Sequence, residues 1–218
     1  MILIGEPTSV DRLGDTVKIG RRGSVNMWID VPGVQGHVAY PHRATNPVAP
    51  LARVIAALDS LHLDDGTDVF PPSNLEFTAI STPTDASNVI PGSATAQLNI
   101  RFNNLHKGTD LVRLVEEIAA REATGSKVRA RISGEAFLTP PGPLYDVVVA
   151  AIEEETGRKP ELSTSGGTSD GRFLIQLCPV VDFGLPNATM HKVGECAAVE
   201  DIRALSRIYE RILEKALA

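Results

Sequence analysis

Positive charge, cysteine and long apolar runs are all in short supply in this chain, and each shortage excludes something. Lys and Arg number 21 against 27 Asp and Glu, a net charge of −6 at pH 7, so nothing electrostatic recommends nucleic acid or an anionic membrane as a partner. There are two cysteines. Cys178 and Cys196 stand far apart among apolar neighbours, in neither a zinc nor a redox spacing, and are expected to be free buried thiols. No apolar run approaches the roughly 20 residues of a membrane span. Met1-Ile2-Leu3-Ile4 gives way at once to Gly5-Glu6-Pro7, without the basic start and longer apolar stretch of a secretory signal. The expected location is cytoplasmic. There is no internal repeat or low-complexity tract. What remains is ordinary globular composition, 43% hydrophobic and 22% charged over 218 residues, enough for one large domain or two small ones.

Two kinds of segment alternate along the chain. Val25, Met27, Ile29 and Val31 alternate with Asn26, Trp28 and Asp30, the period of a strand with two unlike faces. Asn46-Pro47 reads as an N-cap followed by proline at the first helical position, and Leu51, Val54, Ile55, Leu58 and Leu61 follow at helical spacing. A strand is expected over 75–80 and another over 94–102, where Ala94, Ala96, Leu98, Ile100 and Phe102 share one face. Leu111, Leu114, Val115 and Ile118 mark a second helix, and Val128, Ala130 and Ile132 a last strand. The order is β-α-β-β-α-β, the split βαβ or ferredoxin-like unit. It is expected to occupy residues 23–135 as an insert, leaving 1–22 and 136–218 as one discontinuous domain. Pro140-Pro141-Gly142-Pro143 marks the second boundary. A helix over 144–152 follows, then a helix over 170–177, a strand over 179–183, and a C-terminal helix with Ile202, Leu205, Ile208, Tyr209, Ile212 and Leu213 inward. These few elements cannot cover both faces of an α/β sheet, so the faces at 144–152 and 202–213 are expected to stay partly exposed.

Candidate chemistry is thinly spread. Glu6 follows a strand, at the edge where α/β proteins place ligands; taken alone, it reads better as a solvated loop glutamate. The loop Ser165-Gly166-Gly167-Thr168-Ser169-Asp170 can turn its N–H groups inward, and Ser169 or Asp170 can cap the next helix, which suits an anion. It lacks the Gly-Lys-Ser/Thr of a phosphate loop, so a carboxylate suits it better; a plain capping turn is the alternative. His191 lies in Asn187-Ala188-Thr189-Met190-His191. His37, Tyr40 and His42 sit in a Gly- and Pro-flanked loop, Asn88 in Ser87-Asn88-Val89-Ile90-Pro91-Gly92, and Arg101 on the polar face of its strand. Singly, each of these is better explained by structure or solvation.

In series they mean more. Ile4 to Thr8, Gly20 to Ser24, Gly33 to His42, Asn88 to Gly92, Ser165 to Phe173 and Asn187 to Cys196 resemble, in that order, the bacterial succinyl-diaminopimelate desuccinylases of the dizinc deacylase and aminopeptidase-like clan. The resemblance runs along essentially the whole chain but covers only the later part of the family's polypeptide. That family's His-x-Asp motif, bridging Asp and Glu-Glu pair have no counterpart here, and Gly194 stands where many relatives have Asn. The fold implied is part of a zinc-peptidase-like α/β catalytic domain (1–22, 136–218) with an inserted α+β lid and dimerisation domain (23–135).

The resemblance further implies two zinc ions, with cobalt possible, Glu6 as a ligand of one and His191 of the other. It implies His37 as the lid histidine that stabilises an oxyanion in the partner subunit's site. Arg21, Ser24, Tyr40, Asn88, Arg101, Gly167, Thr168 and Asn187 would hold the carboxylates and polar groups of a dicarboxylate amide. The implied activity is hydrolysis of N-succinyl-LL-2,6-diaminopimelate to succinate and LL-diaminopimelate, in lysine and peptidoglycan-precursor synthesis, by a homodimer. This chain alone is expected to be inactive. Alternatives are a related deacylase, such as one acting on acetylornithine, or a non-catalytic dimerisation module.

Overall fold

A computed structural model describes residues 1–218. In chain order the elements are β1 (Ile2–Ile4), β2 (Thr16–Lys18), β3 (Gly20–Arg21), β4 (Gly23–Pro32), β5 (Gly36–His37), α1 (Val48–Asp59), β6 (Asn74–Ser81), β7 (Val89–Ile90), β8 (Ser93–Phe102), α2 (Gly108–Glu122), β9 (Lys127–Gly134), β10 (Phe137–Leu138), α3 (Pro143–Thr156), β11 (Glu161–Ser163), α4 (Gly171–Leu174), β12 (Val180–Asp182) and α5 (Val199–Leu217). They form two compact units. Residues 23–67 and 72–135 make an inserted unit, and residues 1–22, 68–71 and 136–218 a split unit.

The inserted unit is a four-stranded antiparallel sheet in the order β6-β8-β4-β9. Strict alternation decides its faces: Val25, Met27, Ile29 and Val31 of β4 and Ala94, Ala96, Leu98, Ile100 and Phe102 of β8 are all buried. The same core takes Leu51, Val54 and Leu58 from α1 and Leu111, Val115 and Ile118 from α2, so both helices cover one face. Each such side chain contributes roughly 1.5–3 kcal/mol by leaving water. The split βαβ order expected from the periodicities is the one that forms. The α1 start differs by one residue: Pro47 occupies the cap position and the helix begins at Val48. Asn46 still caps, its Oδ1 accepting the Val48 N–H at 2.9 Å.

A buried carboxylate organises the loop after α1. Asp64 accepts from Gly66 N at 2.7 Å, Asn103 Nδ2 at 2.6 Å and His106 Nε2 at 2.9 Å, and from Ser73 N at 3.2 Å. Burial opposes its ionisation, yet these donors hold the carboxyl well below the usual range. Between the residues so pinned, segment 68–71 belongs to the split unit. There Phe70 is buried and the Thr164 hydroxyl donates to the Val69 carbonyl.

The split unit has a mixed sheet in the order β1-β12-β2-β11, with β1 parallel to β12 and β11 parallel to β2. Lys18 and Asp182 meet where β12 runs antiparallel to β2. The core joins Val17, Val181 and Phe183 to Leu144, Val148 and Ile152 of α3 and to Ile208 and Ile212 of α5. Four expectations are corrected here. The face at 144–152 is largely covered rather than partly exposed, with Leu144, Val148 and Ile152 buried, whereas the face at 202–213 does stay partly exposed as expected. Of the residues expected inward on α5, Ile208 and Ile212 are buried at 0% and 5% exposure, while Ile202 and Leu213 are 49% and 61% exposed. The reason is that α5 packs on α3 along a narrow seam. Beside β1 a cavity of about 360 Å³, lined by Met1, Leu3, Leu144, Val147, Tyr209, Ile212 and Leu213, stays open. The helix expected over 170–177 shrinks to Gly171–Leu174, because Phe173 and Leu177 are exposed and give so short a helix no apolar face to bury. Cys178 is half-buried and Cys196 exposed, so the expectation of two buried thiols is corrected as well. No helix is long and apolar enough to cross a membrane.

Candidate functional site

In the split unit the parallel strands β1 and β12 end together, Ile4 opposite Asp182. Glu6 leaves one end and Gly184 the other. A Cβ at Gly184 would fall 2.5 Å from the Glu6 carbonyl oxygen, so glycine is what lets the two backbones meet. Ser9 extends the contact: its Oγ donates to Gly184 O at 2.8 Å, and its carbonyl accepts the Asn187 N–H at 2.9 Å. Half-buried Glu6 and the segment leading to His191 therefore leave the same C-terminal edge of a parallel strand pair, where α/β sheets place ligands. His191 is exposed, and its φ of 63° makes it the one non-glycine residue with a left-handed backbone. Such conformations cluster at functional sites, held by the structure around them.

The glycine loop lies on a buried ionic support. Arg21 and Asp182 are 7% and 1% exposed. Arg21 Nε and Nη2 reach Asp182 Oδ2 at 2.7 and 2.6 Å, and Nη1 donates to the Gly167 carbonyl at 3.1 Å. The guanidinium implied to bind substrate is thus engaged with the loop itself. Lys18 donates to Ser163 Oγ at 3.1 Å and Ser165 Oγ at 2.8 Å. Burial first, and the neighbouring Arg21 second, lower its ammonium pKa. Ser169 Oγ accepts the Gly171 N–H at 3.2 Å, while Asp170 makes no capping bond. Thr168 Oγ1 accepts from Arg172 at 3.2 Å.

In the inserted unit the candidates form two groups. The short β5–β7 ladder sets His37 opposite Val89 and so brings the His37 loop beside Asn88. The Asn88 carbonyl accepts the Val38 N–H at 3.1 Å. The His37 and Tyr40 rings lie 5.9 Å apart, and Arg43 stands over Tyr40. His37, Tyr40 and Asn88 are exposed. Ser24 and Arg101 pair across β4 and β8 at the other end of the strand. Ser24 is buried, its Oγ accepting from Asn99 Nδ2 at 3.1 Å. From Ser24 to Pro32 is eight residue steps, about 26 Å at strand rise, so the fold does not bring the two groups together.

Glu6 and His191 are donors of the kinds zinc takes. No group of three or more His, Cys, Asp or Glu side chains converges to hold a metal ion, so the donors fit such an ion in type and fall short in number. Sequence reasoning missed Lys18, Asp182, Thr189 and Glu195. Asp182 carried a readable signal, a charge inside the apolar run Val180-Val181-Asp182-Phe183, which burial obliges to find a partner.

Residues 19–126 match a family model described as the peptidase dimerisation domain. The fold is similar to aminopeptidase PepT from Bacillus cereus, with a TM-score of 0.79 and 19% identity over 96% of this chain and 56% of that one. It is similar also to the M20 family metallo-carboxypeptidase Sso-CP2 from Sulfolobus solfataricus, with a TM-score of 0.79 and 12% identity over 96% of this chain and 62% of that one. The fold is thus similar to that of these enzymes over nearly the whole chain, and residues 19–126 match the peptidase dimerisation domain. Two proteins named succinyl-diaminopimelate desuccinylase are far closer in sequence. The one from Sphingopyxis alaskensis is 60% identical over 98% of this chain and 56% of its own length. The one from Zymomonas mobilis is 62% identical over 99% of this chain and 57% of its own length. Along nearly its whole length the chain is similar to proteins named succinyl-diaminopimelate desuccinylase, and it spans somewhat over half the length of these relatives.

Proposed function

We propose that the chain is the lid and part of the catalytic domain of a zinc-dependent amide hydrolase that acts on N-succinyl-LL-2,6-diaminopimelate. The identity of about 60% to proteins named for that activity, along nearly the whole chain, carries the reading. Glu6 and His191 each give one ligand to a different ion of a zinc pair, which supplies Lewis acidity toward the amide carbonyl when bound. The remaining ligands and the general base belong to the part of the relatives' length that this chain does not span. Gly167, Thr168 and Asn187 offer polar groups to the substrate carboxylates. Arg21 and Lys18 support that loop from beneath, so their contribution to substrate binding is indirect.

His37 donates a hydrogen bond to the oxyanion of the amide undergoing attack, with Tyr40 and Asn88 beside it. The dimerisation domain supports a homodimer, and the length of β4 gives a physical reason for one. A substrate about as long as an extended tripeptide spans roughly 10 Å, less than half the roughly 26 Å of β4 between Ser24 and Pro32, beyond which the His37 loop begins. One substrate touches both groups only if they come from two chains. His37 then serves the partner's site.

The test uses the chain alone and a chimera that adds the remaining part of the Zymomonas mobilis relative. With excess zinc, the chimera should hold two zinc ions and release succinate from N-succinyl-diaminopimelate; the chain alone should do neither. Hydrolysis of acetylornithine in place of the succinyl substrate would favour the related deacylase. A chimera that dimerises but binds no zinc would leave a non-catalytic dimerisation module. In an active chimera, His37→Ala should lower kcat by about 10²–10³, and an unchanged kcat would remove His37 from the chemistry.

A further inference from the structure

We infer that Thr189 and Glu195 are positioning residues that latch His191 in its left-handed backbone conformation and so fix where its imidazole points; the inference rests on the proposed ligand role of His191. The latch is local and closed. The Thr189 hydroxyl donates to the Cys196 carbonyl at 2.9 Å and accepts the Cys196 N–H at 3.1 Å. One side chain thus ties both backbone polar groups of a residue seven positions on. Inside this ring, Lys192 N–H donates to Thr189 O at 3.0 Å and Glu195 N–H to Lys192 O at 3.1 Å. Two left-handed residues, His191 with φ 63° and Gly194 with φ 81°, turn the chain back on itself. The return brings the Glu195 carboxylate under the His191 peptide, where Oε2 accepts the His191 N–H at 3.3 Å. At its base the loop is fixed by the Asn187 N–H on Ser9 O.

A non-glycine residue does not hold a left-handed backbone without support. Here the support comes from two side chains with no role in the ligand set. A carboxylate bonded to a peptide N–H makes a stronger bond than a neutral acceptor would, and that bond takes up the N–H of the strained residue itself. A cavity of about 250 Å³, bordered by Pro7, Pro186, Met190 and Glu195, adjoins the latch. The loop has room to relax once the latch is cut. A tilted imidazole cannot complete a site whose other donors are fixed, and loss of such supporting groups typically lowers metal affinity 10–100-fold.

Four substitutions test this: Thr189→Val and Glu195→Ala remove the bonds, whereas Thr189→Ser and Glu195→Gln keep a hydroxyl and an acceptor in place. In the 218-residue chain, Val and Ala should speed amide hydrogen exchange over 190–196 by about tenfold. Ser and Gln should stay near the parent, and β12 and α5 should be unchanged in all four. In the chimera, Val and Ala should weaken one of the two zinc ions about tenfold or more by chelator competition and leave the other alone. If the parent chimera binds two zinc ions and all four variants match it, the inference fails by itself. If His191→Ala costs the parent chimera no zinc, the ligand reading fails first and takes the inference with it. If Glu195→Gln loses zinc while its exchange stays normal, Glu195 is a ligand and the positioning role is overturned.

Discussion

In the inserted unit, Met27, Ile29, Leu98 and Phe102 on one sheet face meet Leu51, Val54, Leu58 and Val115 from two helices, and all are buried. In the split unit, α5 is just as amphipathic in sequence, yet it gives Ile208 and Ile212 to α3 and leaves Ile202, Leu213 and Leu217 exposed. The contrast separates two things that one periodicity cannot. An apolar stripe says which way a helix faces; it does not say that a partner surface exists within the same chain. Mutations should therefore be severe in one unit and mild along the open flank of the other.

The largest effect is expected deep in the inserted unit. Phe102 is fully buried, and its ring lies so close to Gly23 that a Cβ there would come within 2.3 Å of it. Phe102→Ala should lower stability by about 3–5 kcal/mol, read as a loss of cooperative unfolding for residues 23–135 in hydrogen exchange. The split unit is expected to answer as strongly at its ionic support, as well as in its own buried core around Phe183. Arg21→Met strips the guanidinium from Asp182, whose Oδ1 is already buried without a partner. An uncompensated buried charge costs about 3–5 kcal/mol. Exchange should rise over 163–170, where Arg21 holds the Gly167 carbonyl, and stay normal in β8.

Asp64 gives a smaller effect with a definite pH signature. Its folded pKa is depressed, so its contribution is fully present above the ordinary carboxylate pKa of about 3.9 and is lost as pH falls below it. Parent and Asp64→Asn should differ most in melting temperature at pH 6, and the difference should begin to shrink as pH falls to 3. A difference that grows on acidification would contradict the assigned bonds from Gly66, Ser73, Asn103 and His106.

Legibility in the sequence followed the same division. The periodicities of β4, β8, α1 and α2 sufficed for the ferredoxin-like order because each strand and helix there buries the face its pattern marks. They failed at Ile202 and Leu213, where the pattern is equally good and the covering surface is missing. At the candidate site, Glu6, the glycine loop and His191 were legible as blocks. What supports them was not: Lys18 and Asp182 act through contacts across 145 and 161 residues that no local window joins, and Thr189 acts by a hydroxyl bridge that no periodicity marks. Gly194 is instructive: its φ of 81° is a conformation that Gly adopts freely and Asn tolerates, so the Asn expected there from the resemblance would meet the same backbone requirement.

The smallest expected change in stability sharpens the contrast most. Leu213 stands on the open flank of α5, beside the cavity lined by Leu3, Leu144 and Tyr209. Leu213→Lys removes little buried area, so the melting temperature should move by no more than about 0.5 kcal/mol of stability would shift it. Its consequence lies between molecules. An exposed apolar patch of this kind drives association, and a lysine on it puts a charge that resists desolvation in the middle. In light scattering the parent chain should form species larger than the dimer expected through residues 19–126, and Leu213→Lys should reduce them to that dimer. Binding of an apolar dye should fall in step. If Leu213→Lys costs as much stability as a core substitution, α5 is covered in solution by something other than α3, and the two units are alike after all.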